Sequence, residues 1–278
     1  MIADQPTCVD TRTAFDQYLV RRLPPHVDLA VRSHLDQCDP CWQAWDRLRW
    51  DRAAGTTLHT ELVEYLGDRF KPYHDSSRTL AQQWDRATPQ THEQVRRFYS
   101  STDAYLYNQV IWHASGHRPR YVDAAKPLLT AHRDATIIDY GCGIGEDVLA
   151  LHRAGFLALG CDLPSPPTDF FTWRSHRHGY PHPVYQPEHL LAKAPILLWI
   201  MDTLDHLPDL TATIGALLNL SELVICENLL QTRHHGRQGF HHYRSPFNVD
   251  RQFAAHGLSR LSATPPDLSI YTRHRTWR

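Results

Sequence analysis

The stretch that decides the fold is Thr136-Ile137-Ile138-Asp139-Tyr140-Gly141-Cys142-Gly143-Ile144-Gly145-Glu146-Asp147-Val148-Leu149. It reads as a buried strand, a glycine turn and a helix. Thr136, Ile137 and Ile138 are β-branched and suit a central strand. Gly141, Gly143 and Gly145 fall at alternate positions, where a chain turns sharply and lets its backbone approach a ligand. Val148, Leu149 and Leu151 then begin a helical period. A nicotinamide site would need G-x-G-x-x-G, and Glu146 stands where its third glycine belongs, so that fingerprint fails.

The order present is D-x-G-x-G-x-G, from Asp139 to Gly145. It resembles motif I of the class I S-adenosylmethionine-dependent methyltransferases. That resemblance implies that the turn, Gly141-Cys142-Gly143 with Gly145, lets its backbone approach the donor's methionyl part. It also implies that Asp139 helps to hold the donor's ammonium. The next apolar run, Phe156 to Cys161, ends in Asp162. An acid at the end of a second strand can accept both ribose hydroxyls, and the resemblance gives Asp162 that role. Leu163 then opens a proline-rich loop, Leu163 to Thr168, where an adenine would lie. Phe170, Phe171 and Trp173 follow on a short helix and suit either purine stacking or the core.

The resemblance implies an α/β fold: a seven-stranded, Rossmann-like methyltransferase sheet over 131–278. His182 to Gln186 is the choice for its third strand. Pro195 to Met201 is an uninterrupted apolar run, as in a strand buried on both faces. It resembles the family's motif IV, and the acids after it, Asp202 and Asp205, with His206, are site candidates. Leu223 to Asn228 reads as strand five. Leu258 to Leu261 and Leu268 to Thr272 would close the sheet as an antiparallel pair. A His-rich loop carries His234, His235, His241 and His242, which face an acceptor if this insert behaves as such loops do.

Residues 56–130 read as a helical cap or lid. Aromatics crowd the helix that starts near Thr91; Tyr99, Tyr105, Tyr107 and His113 are its lid positions, with Tyr99 and Tyr107 beside the donor. The general-base candidates are His113, His206, His241 and His242.

Residues 1–55 form a separate small helical module with His34-x3-Cys38-x2-Cys41 and, upstream, Cys8. His34 and Cys38 share a helix face, and Pro40 bends the chain before Cys41. One imidazole and three thiolates suit a structural zinc; a metal-free hairpin with buried cysteines would use the same residues otherwise. About forty residues here, including Leu23-Pro24-Pro25, resemble the zinc-binding domain of zinc anti-sigma factors. No sigma-factor role follows from that.

The chain has 278 residues, enough for one large core and an accessory domain. Its formal charge is −1, so no field draws it to nucleic acid or an anionic membrane. The run after strand four, Asp202-Thr203-Leu204-Asp205, also lacks the N/D-P-P-Y/F pattern of nucleic-acid amino-methylation. No apolar run approaches the roughly 20 residues that span a bilayer, and the first residues show no signal pattern. A cytoplasmic enzyme with reduced cysteines is expected. The expected activity is methyl transfer from S-adenosylmethionine to a small-molecule acceptor, with Zn2+ structural. A S-adenosylmethionine-binding regulatory protein without turnover is the alternative. The sequence names neither the acceptor nor the oligomeric state.

Overall fold

The computed structural model describes residues 6–186, 189, 196–207, 209–228, 246–262 and 264–273. They fall into two compact units. One comprises residues up to Thr88 together with Asp103–Pro119; the other takes Pro89–Thr102 and most of the chain from Arg120 onward.

The helices before the sheet are α1 (Cys8–Thr13), α2 (Phe15–Leu19), α3 (Pro25–Gln37), α4 (Asp39–Ala53), α5 (Thr57–Leu66), α6 (Ser76–Ala87), α7 (His92–Ser101), α8 (Asp103–Ala114) and α9 (Tyr121–Thr130). All but α7 and α9 belong to the first unit. Pro25 opens α3 at its first position, where a missing N–H costs nothing. Thr7 caps α1 and Thr91 caps α7, each in a reciprocal capping box. Phe15, Tyr18, Leu19, Val31, Leu35, Trp42 and Trp45 make one buried cluster across α2, α3 and α4. His117 is wedged between Tyr18 and Trp45. Burial pushes its imidazole down to about 3, so it is neutral at pH 7.

The second unit is built on β1 (Thr136–Tyr140), α10 (Glu146–Arg153), β2 (Ala158–Cys161), α11 (Pro166–Arg177), β3 (Ile196–Ile200), α12 (Leu210–Leu220), β4 (Ser221–Glu227), α13 (Pro246–Ala255), β5 (Ser259–Arg260) and β6 (Leu268–Thr272). The strand order is β2-β1-β3-β4-β6-β5. The first four strands are parallel, and β6 is antiparallel to both β4 and β5. Successive residues point to opposite faces, and both faces are apolar. Ile137, Leu197, Trp199 and Ile225 pack with Leu129, Leu149 and Phe171. Ile138, Leu198, Ile200 and Val224 pack with Ile214, Leu218 and Phe253. A strand covered on both sides reads as a continuous apolar run, which is why β3 was visible in the sequence.

The sheet has six strands among the described residues, not the seven that the resemblance implies. The place of the missing strand, outside β2, holds a single parallel bridge between Cys161 and Tyr185. Tyr185 N–H donates to the Gly160 carbonyl (2.9 Å), and Asp162 N–H donates to the Tyr185 carbonyl (3.0 Å). Pro183 and Pro187 flank this bridge in sequence. Neither has an N–H for a ladder, so His182 to Gln186 cannot extend into a full strand. No described helix is long and apolar enough to cross a membrane.

Candidate active site and metal cluster

β1 sits between β2 and β3, so the chain's strand order reverses beside it. Open α/β sheets take ligands at such a point, outside the carboxyl ends of the strands. The glycine turn leaves β1 there. Gly141, Gly143 and Gly145 have φ of +80°, +48° and +71°, the left-handed region that only glycine occupies freely. A Cβ on Gly141 would fall inside the Thr203 side chain, and one on Gly145 inside the Phe171 ring. Phe170 and Phe171 are thus core residues, both fully buried.

The turn is braced from α11. Arg174, 2% exposed, donates Nη1–H to the Ile144 carbonyl (2.8 Å) and Nη2–H to Glu146 (2.7 Å). Trp199 in β3 donates its indole N–H to Asp147 (3.0 Å), which fixes the start of α10. Asp139 is buried in β1, paired in register with Gly160 and Trp199.

Asp162 follows β2 and is half-buried. Its Oδ2 accepts the Gly143 N–H (2.8 Å), and its Oδ1 accepts the Leu163 N–H (2.6 Å). Each oxygen keeps a further lone pair. Burial pushes the carboxyl up to about 6, against the pull of those two amides. Cys142, by contrast, is a buried thiol raised well above its ordinary range by burial and by Asp162 and Asp139, so its side chain is inert.

A second group of polar side chains lies at the ends of β3 and β4. Asp202 holds a left-handed backbone (φ +54°), and its carboxylate accepts the Tyr121 O–H (3.0 Å). Leu204–His206 form one 3-10 turn. There the Tyr99 hydroxyl meets His206 Nδ1 at 2.8 Å, and Asp205 Oδ1 lies 3.8 Å from His206 Nε2. Glu227 ends β4, buried. Tyr99 and His206 are 107 residues apart and were candidates for different tasks; α7 brings them together. Tyr121 and Glu227 were not singled out from sequence. Glu227 had a signal: an acid directly after Cys226 ends an apolar strand, as Asp162 does after Cys161.

Tyr107 and His113 lie on α8, in the first unit. The Tyr107 hydroxyl accepts the Lys71 N–H (2.8 Å) and donates to the Arg69 carbonyl (3.3 Å). His113 packs edge-on to Trp112. His241 and His242, with His234 and His235, lie outside the described residues.

In the first unit, Cys8, His34, Cys38 and Cys41 bring four ligand atoms within 4.8 Å of one another. Cys8 Sγ and Cys38 Sγ are 3.7 Å apart. A tetrahedral zinc with Zn–S of about 2.3 Å needs sulfurs about 3.8 Å apart, so the spacing fits. His34 Nε2 is buried without a hydrogen-bond partner, as an imidazole awaiting a metal would be. Without metal, the Cys38 and Cys41 sulfurs push the Cys8 thiol up to about 11, while the Cys41 backbone N–H draws Cys38 down.

No family model matches this chain. No curated protein matches it either. Solved structures do. Magnesium protoporphyrin IX methyltransferase from Synechocystis PCC 6803, with bound SAH, is 15% identical over 78% of this chain and 100% of its own, at a TM-score of 0.44. A SAM dependent methyltransferase from Aquifex aeolicus is 12% identical over 56% of this chain and 93% of its own, at 0.42. The PH0226 protein from Pyrococcus horikoshii OT3 is 11% identical over 55% and 89%, at 0.40.

Proposed function

We propose that the chain is an S-adenosylmethionine-dependent methyltransferase acting on a small molecule, with a structural Zn2+ in its N-terminal helices. The observation that carries the reading is the Asp162 bridge. An acid ending the second strand accepts the N–H of the middle glycine of a D-x-G-x-G-x-G turn, at the sheet's switch point. Backbone amides and a ribose-binding carboxylate thereby share one rim. Asp162 would accept ribose hydroxyls, Leu163 would border the adenine, and Asp139 and Asp202 would serve the donor's ammonium. The bound donor supplies a methyl group on a sulfonium, already an excellent leaving group. The protein has then chiefly to orient the acceptor and exclude water.

His206 is the base this reading favours. In the tautomer with the proton on Nδ1, that proton is donated to the Tyr99 oxygen and Nε2 is the basic nitrogen. The Asp205 carboxylate nearby favours the imidazolium that results. Three thiolates and an imidazole leave a zinc no open position, so the metal's work is structural. Reduced thiols in such a set suit the cytoplasm.

Calorimetry with S-adenosylhomocysteine, with NAD as the control, tests the donor. Binding of NAD instead would reject the reading. Transfer of labelled methyl to small molecules of an extract tests turnover; binding without transfer to any of them favours the regulatory alternative.

A further inference from the structure

Glu227 is 3% exposed, and its Oε2 has no hydrogen-bond partner. Its strongest electrostatic neighbours are Asp202 and Asp205, both acids. Burial, with those two charges added, holds the Glu227 carboxyl well above the ordinary carboxylate range. Removing a carboxyl from water, leaving an acceptor unfilled and placing two like charges beside it all oppose folding. Buried acids are ordinarily paired with a cation. Here Glu227 ends β4 while Asp202 and Asp205 follow β3, at the carboxyl ends of the strands, where open α/β folds take ligands. A bare metal ion is the poorer occupant. Among the described residues, only the Cys8 set gathers three or more ligand atoms closely enough for one ion. An ammonium group carried by an organic molecule has the charge, several N–H donors and a larger span.

We propose that Asp205 and Glu227, beside the donor-facing Asp202, form a binding site for an organic ammonium group, so that the methyl acceptor is an amine that first gives one N–H proton to His206 Nε2, since an ammonium nitrogen has no lone pair to take the methyl. The word acceptor rests on the methyltransferase reading; the cation site does not. Glu227 is the central member. Its Oε2 takes an N–H of the ammonium, and the incoming positive charge favours ionised Glu227 over the neutral form. The site would reject carboxylates of the same size by repulsion and bind neutral alcohols less well, because they bring no positive charge to Glu227.

The test is carboxyl 13C NMR of the full chain, with the Glu227 and Asp205 signals assigned from Glu227→Gln and Asp205→Asn. Benzylamine is titrated into the S-adenosylhomocysteine-saturated protein, against benzyl alcohol as the neutral counterpart. Benzylamine is expected to move the Glu227 signal towards its ionised position, and benzyl alcohol to leave it in place. Asp205→Asn should weaken the benzylamine response at least tenfold with S-adenosylhomocysteine affinity kept. An equal response to both probes, or no response to either, overturns the site. So does a full response to S-adenosylhomocysteine alone, which would give these carboxyls to the donor. If Glu227→Gln fails to fold, Glu227→Asp supplies the assignment, and the two-probe comparison on the unaltered chain still decides. If S-adenosylhomocysteine does not bind, the methyltransferase reading falls, and benzylamine titrated into the free chain judges the cation site by itself.

Discussion

Asp162 has one backbone N–H on each oxygen and burial pressing its carboxyl up to about 6. Its folded value lies above its unfolded one, so protonation favours the folded chain, and that contribution is lost as pH rises through about 6. Donor binding runs the other way. Accepting two ribose hydroxyls requires the carboxylate, so S-adenosylhomocysteine affinity should fall as pH drops below about 6. Calorimetry from pH 5 to 7.5 on the chain and on Asp162→Asn should show the fall only in the former. Asp162→Ala should cost about 1.5–3 kcal/mol of binding, tenfold to a hundredfold in affinity; unchanged affinity would remove Asp162 from the site. Tyr99→Phe takes one hydroxyl from His206 Nδ1. Turnover should drop about tenfold or more, as a general-base contribution would predict, with donor affinity held. Equal loss of donor affinity would instead place Tyr99 beside the donor. Asp162 was legible because its partner is 19 residues away across one βαβ unit. Tyr99 with His206 was not, because only tertiary packing joins positions 107 apart.

At the scale of the element, the strand–turn–helix over 136–153 depends on side chains that local periodicity does not reveal. Phe171 lies against Gly145, and Arg174, one helical turn on, holds Ile144 and Glu146. Both project from α11, whose aromatics read equally well as ligand-stacking or core. Gly145→Ala combines a left-handed φ with a Cβ inside an aromatic ring, so either the ring or the turn must move. A loss of about 2 kcal/mol or more in stability is expected, with donor binding lost at temperatures where the chain stays folded. Chemical denaturation and calorimetry on that one variant check both; intact donor affinity would mean that the turn is not the cradle. β1 and β3 were plain from sequence because short β-branched or apolar runs bounded by turn residues suit strands buried on both faces. The third strand was not, because the bridge at Tyr185 has no run of its own between two prolines.

On the scale of the whole molecule, the two units should answer differently to loss of metal. The Cys8, His34, Cys38 and Cys41 set ties α1 to the junction of α3 and α4. Elemental analysis should find one zinc per chain, absent from Cys38→Ser with Cys41→Ser. Stripping it should raise hydrogen exchange across α1 to α4, because metal binding and folding are coupled in small modules. Exchange in β1, β3 and β4 should hardly change. Zinc retained by the double variant would place the metal elsewhere. The H-x3-C-x2-C spacing made His34, Cys38 and Cys41 visible in sequence; Cys8 joined them because it is the remaining cysteine of that segment.

The first unit is not continuous along the chain. α8 packs on α4, α5 and α6, and Asn108 donates to Ser77 (2.8 Å) while Tyr107 binds Lys71, yet α7 between them belongs to the other unit. On the ribosome, therefore, the metal clasp can close as soon as Cys41 has emerged, but α4, α5 and α6 must wait for α8 with their inner faces uncovered. Exposed apolar surface of that kind recruits chaperones and invites aggregation. A stalled nascent chain displaying residues 1–88 should be zinc-bound yet protease-sensitive beyond α4, and one displaying residues 1–119 should be protected there. Protection already at residue 88 would show that α8 is dispensable to the unit.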